Sequence, residues 1–176
     1  YQDNHGKGYA LKTGLIYIKN NYQNVIIATM DSDGQHTVKD TIKLCNFALN
    51  MNNTILLGKR TIQSNTPLRS RLGNIITRKV FKLISGIDVY DTQTGLRVFK
   101  SNIIPFLLEI KGDRFDYEMN MLLESANNNI KLKEEVIETI YEDNNNGSHF
   151  KTIRDSYLIY KDIFKFIGSS FSSFII

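Results

Sequence analysis

The chain has 176 residues, 41% of them hydrophobic and 23% charged, with a net charge of +4 from 22 Lys and Arg against 18 Asp and Glu. That is ordinary for one folded domain with a real core and excludes wholesale disorder. Eleven Gly, two Pro and a single Cys, Cys45, exclude collagen-like, Pro-rich, disulfide-framed and multi-Cys metal architectures. The opening Tyr1-Gln-Asp-Asn-His-Gly lacks Met and an apolar h-region, and no stretch reaches the roughly 20 apolar residues of a full membrane span. Both ends lead us to expect a segment of a longer chain.

The charge is segregated. No acidic residue occurs between Asp40 and Asp88, while Lys43, Lys59, Arg60, Arg69, Arg71, Arg78, Lys79 and Lys82 do. Such a window implies a local anionic partner: nucleic acid, a phosphorylated ligand or an acidic membrane surface.

In chain order, residues 8–19 show helical spacing through Ala10, Leu11, Leu15 and Ile18. Residues 24–30 form a short, almost wholly apolar run, the pattern of a central strand, ending at Asp31-Ser-Asp33. Thr37 is placed to cap a helix whose apolar positions Ile42, Cys45 and Leu49 repeat at three and four residues, with Cys45 as buried filler. A second strand over 54–58 ends at Lys59-Arg60, and Pro67 opens a long basic helix that Gly86 ends. Residues 88–99 read as a loop leading into a strand. Ser101 is placed to cap a helix over 102–110, Phe115–Ala126 forms another helix, and 130–141 alternates as a strand. Alternating strands and helices point to an α/β fold with a largely parallel sheet. The abundance of Asn reads as compositional bias. From Ile153 the spacing of Tyr157, Tyr160, Phe164 and Ile167, with Lys161 and Lys165 between, predicts a basic–aromatic interfacial helix leading into a membrane segment, or a helix packed on the core.

Asp31-Ser-Asp33 is the sharpest chemical signal. In extended backbone, residues two apart point the same way, so both carboxylates converge, just past a buried strand where open α/β sheets bind ligands. Two carboxylates suit a hard divalent cation that takes its other oxygens from phosphate and water. A calcium loop is excluded, because its sixth position is His36 and its twelfth Ile42. Gly6-Lys7-Gly8 before a helix offers backbone amides and an ammonium to a phosphate, without P-loop spacing. His5, His36 and His149 show no metal-ligand spacing and read as surface or structural residues.

Taken in order, Asn4-x-Gly-Lys-Gly-x-Ala-Leu-x-x-Gly14, Asp31-x-Asp-Gly-Gln-His36, Gly58-Lys-Arg60, Asp91-x-Gln-Thr-Gly-Leu-Arg97, Phe115-Asp-Tyr-Glu118 and Asn146-Gly-Ser-His-Phe150 resemble the family 2 glycosyltransferases of the dolichyl- or polyprenyl-phosphate sugar synthase type, over nearly the whole chain. Phe164-Lys-Phe-Ile-Gly-Ser-Ser looks like the start of a GtrA-like membrane domain. The resemblance implies a GT-A fold over residues 1–152, a mostly parallel sheet flanked by helices, with a juxtamembrane helix and the start of a membrane domain over 153–176. It implies a nucleotide-sugar donor of UDP-glucose or GDP-mannose type, Mg²⁺ or Mn²⁺, and a polyprenyl phosphate acceptor at the cytoplasmic face of a membrane, in glycan or cell-wall biosynthesis. It leaves room for a homo-oligomer.

Carried over residue by residue, the resemblance makes Asp31 and Asp33 metal and diphosphate residues with Gln35 assisting. It puts Lys7, Ser148 and His149 on the nucleotide-sugar side. Arg60, Arg69, Arg71 and Arg97 fall on the acceptor-phosphate side, and Asp91, counted with the catalytic residues, in the acceptor loop. The family's first strand, with its Pro-x-Tyr-Asn-Glu-like opening, would precede Tyr1. The Gln-x-x-Arg-Trp motif of processive synthases is absent, since the chain has no Trp.

The expected reaction is inverting transfer of one hexose. A phosphate acceptor is already an anionic nucleophile near neutral pH, so it needs cations rather than a general base, and the acid-free window supplies them. The competing expectations are a soluble-acceptor transferase with Asp91 or Asp116 as base, and an inactive membrane-proximal scaffold. A nucleic-acid binder ranks below both, because no recognition motif accompanies the basic window.

Overall fold

A computed structural model describes residues 3–60 and 68–138, for 68–73 the backbone only. Its elements are α1 (Lys7–Asn21), β1 (Ile26–Thr29), α2 (Val38–Ala48), β2 (Thr54–Arg60), α3 (Leu68–Ser85), β3 (Arg97–Lys100), a 3-10 turn (Ser101–Ile103), α4 (Ile104–Glu109), α5 (Asp116–Asn127) and β4 (Lys131–Ile137). The expected membrane-side segment, 153–176, lies outside the described residues. Among those described, no helix is long and apolar enough to cross a membrane.

The four strands form one sheet in the order β1-β3-β2-β4. β2 and β4 pair in parallel, but β3 runs antiparallel to both β1 and β2. The expectation of a mostly parallel sheet is corrected accordingly: β1, β2 and β4 share a direction, and β3 is inserted between β1 and β2 the other way. An apolar run identifies a strand buried on both faces; it carries no information on the direction of its neighbours.

Burial on both faces is visible residue by residue in β2 and β3, whereas β1, expected as a central strand, is an edge strand of the described sheet with only Ile27 buried. Ile55, Leu57, Ile27 and Phe99 point into a core shared with Leu15 of α1, Phe81 of α3, Leu107 of α4 and Tyr117, Met121 and Leu122 of α5. Leu56 and Val98 point to the opposite face, where Leu44 and Ala48 of α2 cover them. The period of two thus splits β2 between two cores.

The α2 face differs from the expected one. Leu44 and Ala48, with Asp40, face the sheet, while Ile42 and Leu49 are 56% and 58% exposed and Cys45 is only partly covered. The partial cover still raises the Cys45 thiol pKa through desolvation. Two apolar stripes lie side by side on this helix, and the one nearer Asp40 wins. Asp40 Oδ2 accepts from the Thr37 hydroxyl at 2.7 Å and from Glu138 N at 3.1 Å, which clips the helix start to the end of β4. Thr37 caps as expected, its hydroxyl accepting from Asp40 N.

Ser101 does not cap a helix. Its hydroxyl accepts from Val25 N and its own N–H donates to Val25 O, tying the end of β3 to the start of β1. The helix after it begins at Ile104 with Pro105 in its first turn. Gly86, at φ +71, ends α3 as expected.

The abundance of Asn has a structural use. Asn24, Asn53 and Asn129 have φ of +54, +46 and +56, and each lies one or two residues before a strand that follows a helix. Asn tolerates the left-handed region better than other residues with a side chain, so it reverses the chain from α1, α2 and α5 into β1, β2 and β4.

Candidate functional site

The ends of β1 and β2 and the start of β3 meet at one edge of the sheet. Thr29 pairs with Arg97, Leu57 also pairs with Arg97, and Gly58 N donates to Leu96 O at 2.9 Å. Beyond that edge lie Asp31, Asp33 and His36 from β1, Arg60 from β2, and the loop 88–96 leading into β3.

Asp31 is half-buried. Its Oδ1 receives the Lys7 ammonium at 2.6 Å, and the same ammonium lies 2.7 Å from Glu118 Oε2. Gly95 lies so close that a Cβ there would overlap the Asp31 carboxylate. Asp33 is exposed, and its Oδ1 accepts from Gln35 N at 3.1 Å in a turn that Gly34 completes at φ +80. The two carboxylates therefore project from one short loop after β1. The Lys7 ammonium is already seated on one of them; carboxylates of this kind are hard oxygen donors that suit a divalent cation completed by phosphate or water oxygens. Among the described residues, no three His, Cys, Asp or Glu side chains are grouped as a self-sufficient metal cage.

The glycines around Lys7 serve packing rather than a phosphate. A Cβ at Gly8 would come within 2.6 Å of Tyr117 Cβ, one at Gly6 would overlap Asp113 O, and Tyr9 N donates to Asp113 O at 3.0 Å. The start of α1 is pressed onto the start of α5, and Lys7 thereby reaches both Glu118 and Asp31. The sequence contained Glu118 only as part of a motif. Its signal was the pairing of Gly-Lys-Gly with a distant acid, which spacing alone does not connect.

Asp91 and Arg60 form a second unit. Arg60 Nε donates to Asp91 Oδ2 at 2.7 Å, its Nη2 to Oδ1 at 3.0 Å, and its backbone N–H to Oδ2 at 3.2 Å. Asp91 is 1% exposed, and its loop is fixed by Glu134, which accepts from the backbone N–H groups of Tyr90 and Asp91. A two-toothed pair of this kind fixes the plane and direction of the guanidinium. Both Asp91 oxygens are engaged by Arg60, so the carboxylate is placed to position that guanidinium. Tyr90 beside it lies between two cations, with Lys59 Nζ and the Arg78 guanidinium each 4.6 Å from its ring centroid.

Arg97 corrects its expected role on the acceptor side. It is 1% exposed; its Nε donates to Thr94 O at 3.1 Å and its Nη1 to Glu118 O at 2.8 Å, with Nη2 3.8 Å from Glu118 Oε1. It is an internal strut between the loop before β3 and α5. Arg97→Ala strands those two carbonyls at roughly 1–3 kcal/mol each, so a loss of about 2–6 kcal/mol is expected from urea unfolding. Unchanged stability would contradict the strut.

His36 belongs to the site, although its sequence context suggested a surface or structural residue. Its Nδ1 is buried without a hydrogen-bond partner among the described residues. Burial pushes the imidazole below its ordinary pKa, and Arg60 adds to this while Asp31, Asp33 and Asp91 pull the other way. Arg69 and Arg71 lie in the first turns of α3, their side chains beyond what is described; Ser148 and His149 lie outside the described residues. Several cations of the acid-free window have acidic partners from elsewhere: Lys43 with Glu135, and Arg78 and Lys82 with Asp88. Those two partners hold the Asp88 carboxyl well below the usual range.

Comparison with known proteins adds a direction. No family model matches the chain. It is 30% identical over 148 residues to the UDP-N-acetylglucosamine–dolichyl-phosphate N-acetylglucosaminyltransferase of Methanococcus voltae, covering 80% of this chain and 58% of that protein. It is 27% identical over 170 residues to glycosyltransferase AglJ of Haloferax volcanii, covering 93% and 54%. The named relatives are glycosyltransferases. An uncharacterized protein of Methanocaldococcus jannaschii is 34% identical over 143 residues, 78% of this chain and 58% of that one. The similarity supports a glycosyltransferase family, and the chain spans little more than half the length of these relatives.

Proposed function

We propose that this chain carries the transfer site of a family 2 glycosyltransferase that moves a single sugar, with inversion, from a nucleotide diphosphate sugar to a polyprenyl or dolichyl phosphate. The observation that carries the reading is one sheet edge with two units: the Asp31/Asp33 loop, and Arg60 aimed by the buried Asp91. The first suits a donor diphosphate and the second an acceptor phosphate.

Asp31 and Asp33, with Gln35 beside them, would hold Mg²⁺ or Mn²⁺, which when bound neutralises charge developing on the leaving diphosphate. Lys7 adds a cation on the donor side. Arg60 holds the acceptor, its charge and direction fixed by Asp91, with Arg69 or Arg71 as a second contact. Holding two anionic substrates together is the main task, because the phosphate is itself the nucleophile and needs no base. The reaction would run at the cytoplasmic face of a membrane, with residues 153–176 as the membrane-side segment.

The test is a panel of UDP- and GDP-sugars offered with polyprenyl phosphate in vesicles, following label into the organic phase. One donor that labels the lipid in a Mg²⁺- or Mn²⁺-dependent way supports the reading. Labelling of no lipid by any donor, with the chain folded, would overturn it.

A further inference from the structure

Lys7 is placed with unusual constraint for a lysine. Its backbone is pinned between two glycines that pack against residues 113–117, Gly8 being buried. Its ammonium lies 2.6 Å from Asp31 Oδ1 and 2.7 Å from Glu118 Oε2, on two different elements. Two carboxylates, Asp31 and Glu118, share it. The other cation here, Arg97, approaches Glu118 only from inside the core, at 3.8 Å.

We infer that Lys7 is a resident counter-ion: it occupies the cation position at Asp31 in the donor-free protein and exchanges with a divalent cation when a diphosphate arrives. This rests on the donor-site reading above. A dication and an ammonium compete for the Asp31 carboxylate, since like charges held that close repel in a partly desolvated site. The lysine head is a point charge on a four-carbon stem and can leave Asp31 without moving its backbone. Glu118, 13% exposed, keeps hold of it, so the ammonium pivots about Glu118 instead of escaping to solvent. A diphosphate then supplies the partner that Asp31 gave up. Dication and diphosphate thus each favour the arrangement the other needs, and bind with positive coupling.

The exchange predicts opposite signs for two probes, which a merely structural lysine does not. Mn²⁺ alone would be titrated by electron paramagnetic resonance, and inorganic pyrophosphate by calorimetry in the presence of Mn²⁺. Wild type would be compared with Lys7→Met, Lys7→Gln and Asp31→Asn, each checked for folding by circular dichroism. With Lys7 neutralised, Mn²⁺ should bind at least ~5-fold tighter and pyrophosphate at least ~5-fold weaker, a coupling of ordinary size for linked sites. If the Lys7 variants bind Mn²⁺ no tighter than wild type while Asp31→Asn abolishes binding, the exchange is overturned and the donor-site reading stands. If Asp31→Asn binds Mn²⁺ as wild type does, the donor-site reading fails and the exchange falls with it.

Discussion

Replacing Asp31 with Asn should lower transfer by at least ~10²-fold, the scale seen when one preorganised electrostatic group is removed from a transition state. The expectation rests on position. Asp31 follows the end of β1 by two residues, its oxygen is the one that holds Lys7, and the close approach of Gly95 shapes the space its carboxylate fills. Asp33→Asn should act in the same direction, since one neutral ligand weakens a two-carboxylate site. Gly95→Ala gives an independent route to the same loss. It leaves every charge in place but pushes a Cβ into the Asp31 carboxylate. A rate for Asp31→Asn within a factor of about two of wild type, with melting temperature unchanged, would remove this loop from the chemistry.

The second large effect is expected at Arg60. Loss of a charge-assisted contact costs roughly 1.5–3 kcal/mol, so Arg60→Ala should weaken use of the phosphate acceptor by about 10- to 150-fold. Hydrolysis of the donor by water should change much less. Asp91→Asn should reproduce part of the acceptor loss, because the guanidinium keeps its charge and loses its direction. Steady-state kinetics with varied acceptor separate the two. Equal losses in acceptor transfer and donor hydrolysis would put Arg60 on the nucleotide side instead.

Much of this site was legible in the sequence, and the reasons differ from residue to residue. Asp31 and Asp33 announced themselves because they follow directly on an apolar run, where local spacing determines placement. Arg60 was legible for the same reason, at the end of β2. Arg97 was not. A cation in a motif looks alike whether it faces a ligand or spans a core, and only tertiary contacts with Thr94 and Glu118 distinguish them. The Asp91–Arg60 pair was hidden for a related cause: a carboxylate that aims an arginine and one that takes a proton have the same sequence. Glu118 was missed because its partner, Lys7, lies more than a hundred positions away.

The fold follows the same division. Helix limits set by Thr37 and Gly86 agree with their local chemistry, whereas the direction of β3 depends on partners far along the chain. The α2 face was decided by a hydrogen bond from Glu138 N to Asp40, again a distant partner. Asn24, Asn53 and Asn129 show the reverse case. Their role was local and readable, an Asn placed between a helical pattern and an apolar run, but it was obscured by the abundance of Asn elsewhere.

The central claim is that two anions are held together by cations at one sheet edge, with no general base taking part. Its most direct measurement compares polyprenyl phosphate with the matching polyprenol, under one donor and one vesicle composition. The account predicts a sugar joined through the phosphate and no detectable product on the alcohol, because a hydroxyl needs a base and the Asp91 carboxylate is already committed to Arg60. Transfer to the polyprenol at a comparable rate would contradict it.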